Sequence, residues 1–264
     1  MSVIFLEPEQ VQSMAGRVLA YGVNVFTEGA PQIIGSQNII QFTDPLTNDI
    51  KKLNAQPAQV AVGDTLSFLG TGFNGIQDVL ITNAHWSKSG VIPINDPNWL
   101  IKVTGGDTLS LKIFDTINLI EETPLPPHLI PKKILPGMYA AQIRVTRKFK
   151  LPNGDERAVE HLSNQFPFIV TPKIGHVSIP LADGKITITG GVFQDTDLPD
   201  TAVQVYVGNQ RYIKNSSGDR GTFDIVDSAT LNLTLENGLT SGKYLPLRVI
   251  ISGAESAPNW IKVP

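Results

Sequence analysis

The chain has no cysteine in its 264 residues. That absence removes disulfides, thiolate zinc sites, iron–sulfur clusters and cysteine nucleophiles together, and it is compatible with a reducing compartment. An excess of one charge is also missing. Twenty-one Lys and Arg face 24 Asp and Glu, a formal net charge of −3, so there is no electrostatic footprint for nucleic acid or an anionic membrane. Long apolar runs are absent as well. Met1 to Leu6 carry no basic region and Glu7-Pro8-Glu9 cuts the run short, so neither a signal peptide nor membrane insertion is expected. These features predict a protein that folds where it is made, in the cytoplasm.

What is present is a repeat. Gly63-Asp64-Thr65-Leu66-Ser67-Phe68-Leu69-Gly70-Thr71-Gly72-Phe73 alternates polar and apolar residues, the period of a half-buried strand, and then breaks at a glycine pair before one aromatic. A second copy runs Asp183-Gly184-Lys185-Ile186-Thr187-Ile188-Thr189-Gly190-Gly191-Val192-Phe193. Each is followed by an apolar strand, at Val79 and at Val203, and later by a Gly-x-Tyr strand, at Gly137-Met138-Tyr139 and Gly242-Lys243-Tyr244. The 23 Gly and 19 Pro punctuate many short strands. Two tandem β-domains follow from this pattern: 57–170 and 171–264, preceded by a segment 1–56 that does not match the repeat.

Within 1–56, Glu9 to Leu19 reads as a short helix. Val23, Val25 and Phe26 alternate like a strand, and Ile33-Ile34 and Ile39-Ile40-Gln41-Phe42 are strand material. The segment either adds strands to the first domain or forms an arm for a neighbouring subunit. In the first domain, the proline-rich stretch Thr123 to Pro136 predicts an extended loop that cannot pair fully in a sheet. A long hairpin follows, Gln142 to Lys150 returning from Arg157 to His161 through Asn153-Gly154-Asp155. It carries Arg144, Arg147, Lys148, Lys150 and Arg157, and is expected to project. Pro167 to Pro172 leads into the second domain without a flexible linker, which predicts a stiff junction. There, strands are expected near Val177, Ile186, Val203, Tyr212, Phe223, Leu231 and Leu247, the count of an immunoglobulin-like sandwich.

The Gly-Asp-Thr-Leu-Ser-Phe-Leu-Gly-Thr-Gly-Phe pattern resembles the opening strands of IPT/TIG-type immunoglobulin-like domains, in both copies. The resemblance implies an all-β fold: two tandem immunoglobulin-like sandwiches behind a short irregular N-terminal segment. Two endings, Ser163-Asn164-x-Phe166-Pro167-Phe168-Ile169-Val170-Thr171-Pro172 and Leu247-Arg248-Val249 through Gly253-Ala254-Glu255-Ser256-Ala257-Pro258, resemble the C-terminal β-rich part of tail-terminator or cap proteins of phage-tail-like contractile injection systems. In that family an α/β domain comes first, and residues 1–56 are too short to hold it.

Signs of chemistry are sparse. His85, His128, His161 and His176 have no metal-ligand spacing. Asp195-x-Asp197-x-x-Asp200 offers carboxylates for calcium, set against the plainer reading of a solvated turn beside Pro199. Neither glycine pair is followed by a lysine–serine pair or a helix, so no phosphate loop is expected. There is no Gly-x-Ser-x-Gly elbow. The expectation is a non-enzyme without cofactor or metal.

The resemblance therefore implies a structural subunit at the cap end of a contractile injection system or phage-like tail. It would contact protein subunits of the same particle, as a homo-oligomer or ring, through Val23, Val25 and Phe26 in the arm and Arg144, Arg147 and Lys148 on the ribbon. The alternative is a glycan- or surface-binding adhesin or accessory module, with Trp86, Trp99 and Asp96-Pro97-Asn98 as an aromatic platform. Exposed, coplanar tryptophans favour that platform and buried ones remove it.

Overall fold

A computed structural model describes residues 30–43, 47, 50–54, 57–121, 128–150, 154–199 and 201–264. Among these the chain is all-β, with no helix, and hence none long and apolar enough to cross a membrane. The helix expected at Glu9 to Leu19, and Val23, Val25 and Phe26, lie outside the described residues.

The first sandwich packs a four-stranded sheet on an eight-stranded one. The smaller orders Gln32–Ser36, Thr65–Thr71, Thr108–Lys112 and Lys102–Thr104. The larger orders His128–Lys133, Thr116–Glu121, Gly90–Pro93, Ile76–Asn83, Gly137–Lys150, Phe166–Thr171 and Ala58–Ala61, with Glu156–Leu162 paired to the far half of Gly137–Lys150. Alternation sends Leu66, Phe68, Leu109, Leu111, Val79, Ile81, Ile143 and Phe168 into one core. Each contributes about 1.5–3 kcal/mol by leaving water. Ile39–Thr43 and Ile50–Asn54 form a separate two-stranded sheet.

The strand Gln32–Ser36, within the unmatched N-terminal segment, completes the first sandwich by pairing with Thr65–Thr71. Side-chain amides finish the edges of this strand pair. Asn164 Oδ1 accepts from the Ile33 amide at 2.8 Å while its Nδ2 donates to the Ile33 carbonyl at 3.0 Å. Asn38 likewise accepts from Ser67 N and donates to Thr65 O. Both amides stand in for a missing strand.

The proline-rich stretch departs from expectation. His128–Lys133 pairs along its length with Thr116–Glu121, Pro131 opposite Asn118. It is an edge strand, where a residue without an N–H is tolerated.

The second sandwich is a continuous series: Ile174–Val177, Lys185–Gly190, Thr230–Thr234, Thr222–Asp227, Gln210–Lys214, Val203–Val207, Tyr244–Ile251 and Ala254–Glu255, with Asn259–Lys262 also on Tyr244–Ile251. Gln210–Lys214 pairs antiparallel on one side and parallel on the other, joining the two layers. Its core holds Ile186, Ile188, Phe193, Val205, Tyr212, Leu231, Leu247 and Val249.

The repeat has one cause in both halves. At Gly70 a Cβ would overlap the Gln32 carbonyl, and at Gly190 the Lys173 carbonyl. The paired strand crosses there beside a bulge, between Ile33 and Gly35 in one and Ile174 and His176 in the other. The aromatic three residues on is buried in each copy, Phe73 and Phe193. Its amide donates to a returning loop, to Gly106 O at 3.0 Å and to Ser228 O at 2.7 Å.

Only Pro172 and Lys173 separate the last strand of the first sandwich from the first strand of the second. Among the described residues three ion pairs cross the junction: Lys132–Asp197 at 3.1 Å, Lys133–Asp195 at 2.7 Å and Lys173–Asp64 at 2.9 Å. The hydrogen bond from Lys133 holds the Asp195 carboxyl below the usual carboxylate range. The acidic turn is thus engaged by lysines of the first sandwich. Asp200 lies outside the described residues, and among those described no group of three or more His, Cys, Asp or Glu is placed to hold a metal ion.

Candidate binding surface

The residues singled out in sequence fall in different settings. Arg144 forms a two-pronged pair with the buried carboxylate of Asp78, its Nε donating at 2.9 Å. Arg147 is buried and its Nη2 donates to the Gly72 carbonyl at 3.1 Å, so it braces the Gly70-x-Gly72 turn. Lys148 is exposed. Two of the three ribbon cations expected at an interface therefore serve the first sandwich internally. Beyond Thr146, whose amide still donates to the Gly75 carbonyl at 3.3 Å, the strand Gly137–Lys150 continues beside Glu156–Leu162, whose exposed Glu156, Arg157 and Glu160 guard an edge against indiscriminate pairing.

The tryptophan platform is corrected. Trp99 is only 3% exposed and joins the first core. Trp86 packs against that core, edge-on to Tyr139 at 5.5 Å. The Asp96 carboxylate accepts from the Asn98 and Trp99 amides, at 2.8 and 3.2 Å, and so shapes a turn that turns Trp99 inward. No coplanar exposed pair results.

An exposed aromatic face exists elsewhere, on the second sandwich. The inner residues of Tyr244–Ile251 are Leu247, Val249 and Ile251, so Tyr244, Pro246 and Arg248 point outward. Pro246 lies opposite Trp260, Tyr244 opposite Lys262 and Arg248 opposite Tyr206. Tyr244 is 39% and Trp260 37% exposed. Both line a groove of about 550 Å³ whose other wall is Ser178, Ile179 and Pro180. Ile179 is 86% exposed.

The polar groups beside it are fixed. Arg248 Nη1 donates to Glu255 at 3.1 Å, Nη2 donates to the Gly208 carbonyl at 2.9 Å, and the guanidinium lies over the Tyr206 ring, 5.5 Å from its centre. The Tyr206 hydroxyl donates to Gln204 Oε1 at 3.2 Å. Half-exposed rings in a groove on a sheet face with prearranged donors and acceptors suit a ligand with apolar faces and polar edges. The residues were visible in sequence, but the Gly-x-Tyr motif gave no sign that Tyr244 faces outward.

A second concavity, about 570 Å³, lies at the junction between Val62, Ile134, Pro136, Val170, Pro172 and Val192, with Lys133 and Asp115 at its border. It is mainly apolar.

No protein-family model and no curated protein matches the chain. Among solved structures it is similar to SGBP-B from a complex xyloglucan utilization locus of Bacteroides uniformis: 16% identity, TM-score 0.24, covering 89% of this chain and 49% of that one. Another is SGBP-B of a Bacteroides ovatus mixed-linkage glucan utilization locus in complex with a mixed-linkage heptasaccharide: 12% identity, TM-score 0.26, covering 81% and 50%. A third is the N-terminal Ig1-2 module of the Drosophila receptor protein tyrosine phosphatase DLAR: 9% identity, TM-score 0.23, covering 89% and 98%. The chain spans about half the length of the first two. Likenesses of this size carry no argument about activity, and the immunoglobulin-like architecture is read from the strands themselves.

Proposed function

We propose that the protein is a non-catalytic binding module whose second sandwich holds glycan chains on its outer aromatic face. One observation carries the reading: Tyr244 and Trp260, half exposed in one groove on a sheet face that also presents Arg248, Glu255 and Lys262. Pyranose rings have apolar faces that stack on aromatic rings and hydroxyl edges that need donors and acceptors. The matching surface has both, without a large excess of either charge.

A glycan microarray of neutral and acidic polysaccharides, probed with the whole chain and with Trp260→Ala, tests this. Binding to a defined glycan class, lost at least tenfold in the variant, supports the reading. No binding by the whole chain overturns it.

The second reading is a structural subunit of a larger cytoplasmic particle, at the cap end of a contractile injection system or phage-like tail. It is favoured by the two-stranded ribbon that outruns the first sandwich and by exposed Leu129 and Met138 on that sandwich. Light scattering on the full chain and on a version lacking residues 1–30 separates the two. A defined oligomer that becomes a folded monomer on truncation supports assembly, and two monomers remove self-assembly through the arm.

A further inference from the structure

The geometry points to a ligand that is a flat, β-linked chain of neutral hexoses, about three units of which lie across the outer face; this rests on the glycan reading above. The face has two planar stations, not one. Tyr244 and Trp260 form the first, at the groove. Arg248, whose guanidinium plane is held over the Tyr206 ring at 5.5 Å and takes that face of it, forms the second. Tyr244 and Arg248 are four residues apart on one strand, a separation of roughly 13 Å, or about three pyranose rings end to end. Pro246 lies between them, opposite Trp260.

Shape and charge narrow the class. Both stations stand on one sheet face, so a flat ribbon-like chain meets both at once, whereas a strongly coiled chain lifts away from one of them. The guanidinium at the second station is balanced by Glu255 at 3.1 Å, so it offers hydrogen bonds to hydroxyls without an uncompensated charge for a uronic acid or sulfate. Its fixation by Glu255, Gly208 and Tyr206 limits the side-chain entropy lost on binding.

The test is calorimetric titration of the whole chain with β-1,4-linked gluco-oligosaccharides of two to six units. The expected result is an affinity that rises about tenfold between two and four units and then levels. Tyr206→Ala should collapse the four-to-two ratio to about one, while Tyr206→Phe, which keeps the ring, should preserve it; thermal melts confirm that both variants fold. Equal affinity at every length, or a ratio unchanged by Tyr206→Ala, overturns the two-station inference. So does failure of the whole series when the microarray shows another glycan bound, and in that case the glycan reading still stands. A blank microarray removes that reading itself.

Discussion

Tyr139 and Tyr244 occupy the same place in the repeat, two residues after a glycine, yet they face opposite ways. Tyr139 is 3% exposed and stacks on Phe168 at 5.6 Å. Its hydroxyl donates to the Leu135 carbonyl at 2.7 Å and accepts from the Leu135 amide at 3.1 Å. Tyr244 stands on the outer face, and Leu245 takes the inward direction. A one-residue slip between the glycine and the first inward residue moves the tyrosine across the sheet. In the second sandwich Tyr212 is the buried tyrosine, its hydroxyl accepting from the Glu236 amide at 3.2 Å. The comparison teaches that the motif marks a strand and leaves its face open. The first sandwich uses its tyrosine as core and the second presents it to solvent.

The largest expected effect concerns what the two halves share. Gly70→Ala and Gly190→Ala each set a methyl group against a backbone carbonyl and should cost more than about 3 kcal/mol or abolish folding of that sandwich. Urea denaturation followed by tryptophan fluorescence reads this, and tolerance of either change would break the common cause of the repeat. Next comes the contrast itself. Tyr139→Ala should cost about 3–5 kcal/mol by opening the core, and Tyr244→Ala no more than about 0.5 kcal/mol; equal costs in the same denaturation experiment would end the distinction.

Alkaline pH sharpens it further. Burial pushes the Tyr139 hydroxyl from 10.0 up to about 12, partly offset by its bond to Leu135. The unfolded chain therefore ionises first. Stability from this group is complete below pH 10 and is lost as pH rises toward 12. Stability curves against pH should show a larger loss in the parent than in Tyr139→Phe, where the Tyr212 hydroxyl, also pushed up by burial, keeps its own share.

The junction gives a smaller effect. Asp195→Asn should cost about 1 kcal/mol or less and widen the spread of interdomain angles seen by small-angle scattering. Because the Lys133 hydrogen bond lowers the Asp195 pKa, the parent should keep its contribution through mildly acid pH and lose it only as pH falls below the ordinary carboxylate range. The smallest effect is a gain. Leu100 sits at φ 47°, where a Cβ is disfavoured, so Leu100→Gly should add about 0.5–1 kcal/mol in thermal denaturation.

Much of the architecture was legible because alternation and the Gly–Phe turn report local backbone demands. Each strand centre expected in the second sandwich, from Val177 to Leu247, falls inside an observed strand. What stayed hidden was non-local. Nothing in Gln32–Ser36 announces its partner, Thr65–Thr71, far along the chain, and Pro131 concealed an edge strand. Asn38 and Asn164 act through partners far along the chain. The lysines that engage Asp195 and Asp197 come from the other sandwich. The candidate face was illegible for a sharper reason. Trp86 and Trp99 looked more promising than Trp260, and only packing decides which indole is covered.

The parallel pairing of Ala58–Ala61 with Phe166–Thr171 has a bearing on how the chain is made. About a hundred residues must leave the ribosome between these neighbours, so the first sandwich cannot close until Thr171 has emerged, and closing that loop opposes folding by an entropy that grows with its length. Synthesis of the second sandwich begins two residues later. The early half therefore waits with an unsealed flank while the later half is being spun out, and a pause in translation soon after residue 171 would give it time to shut.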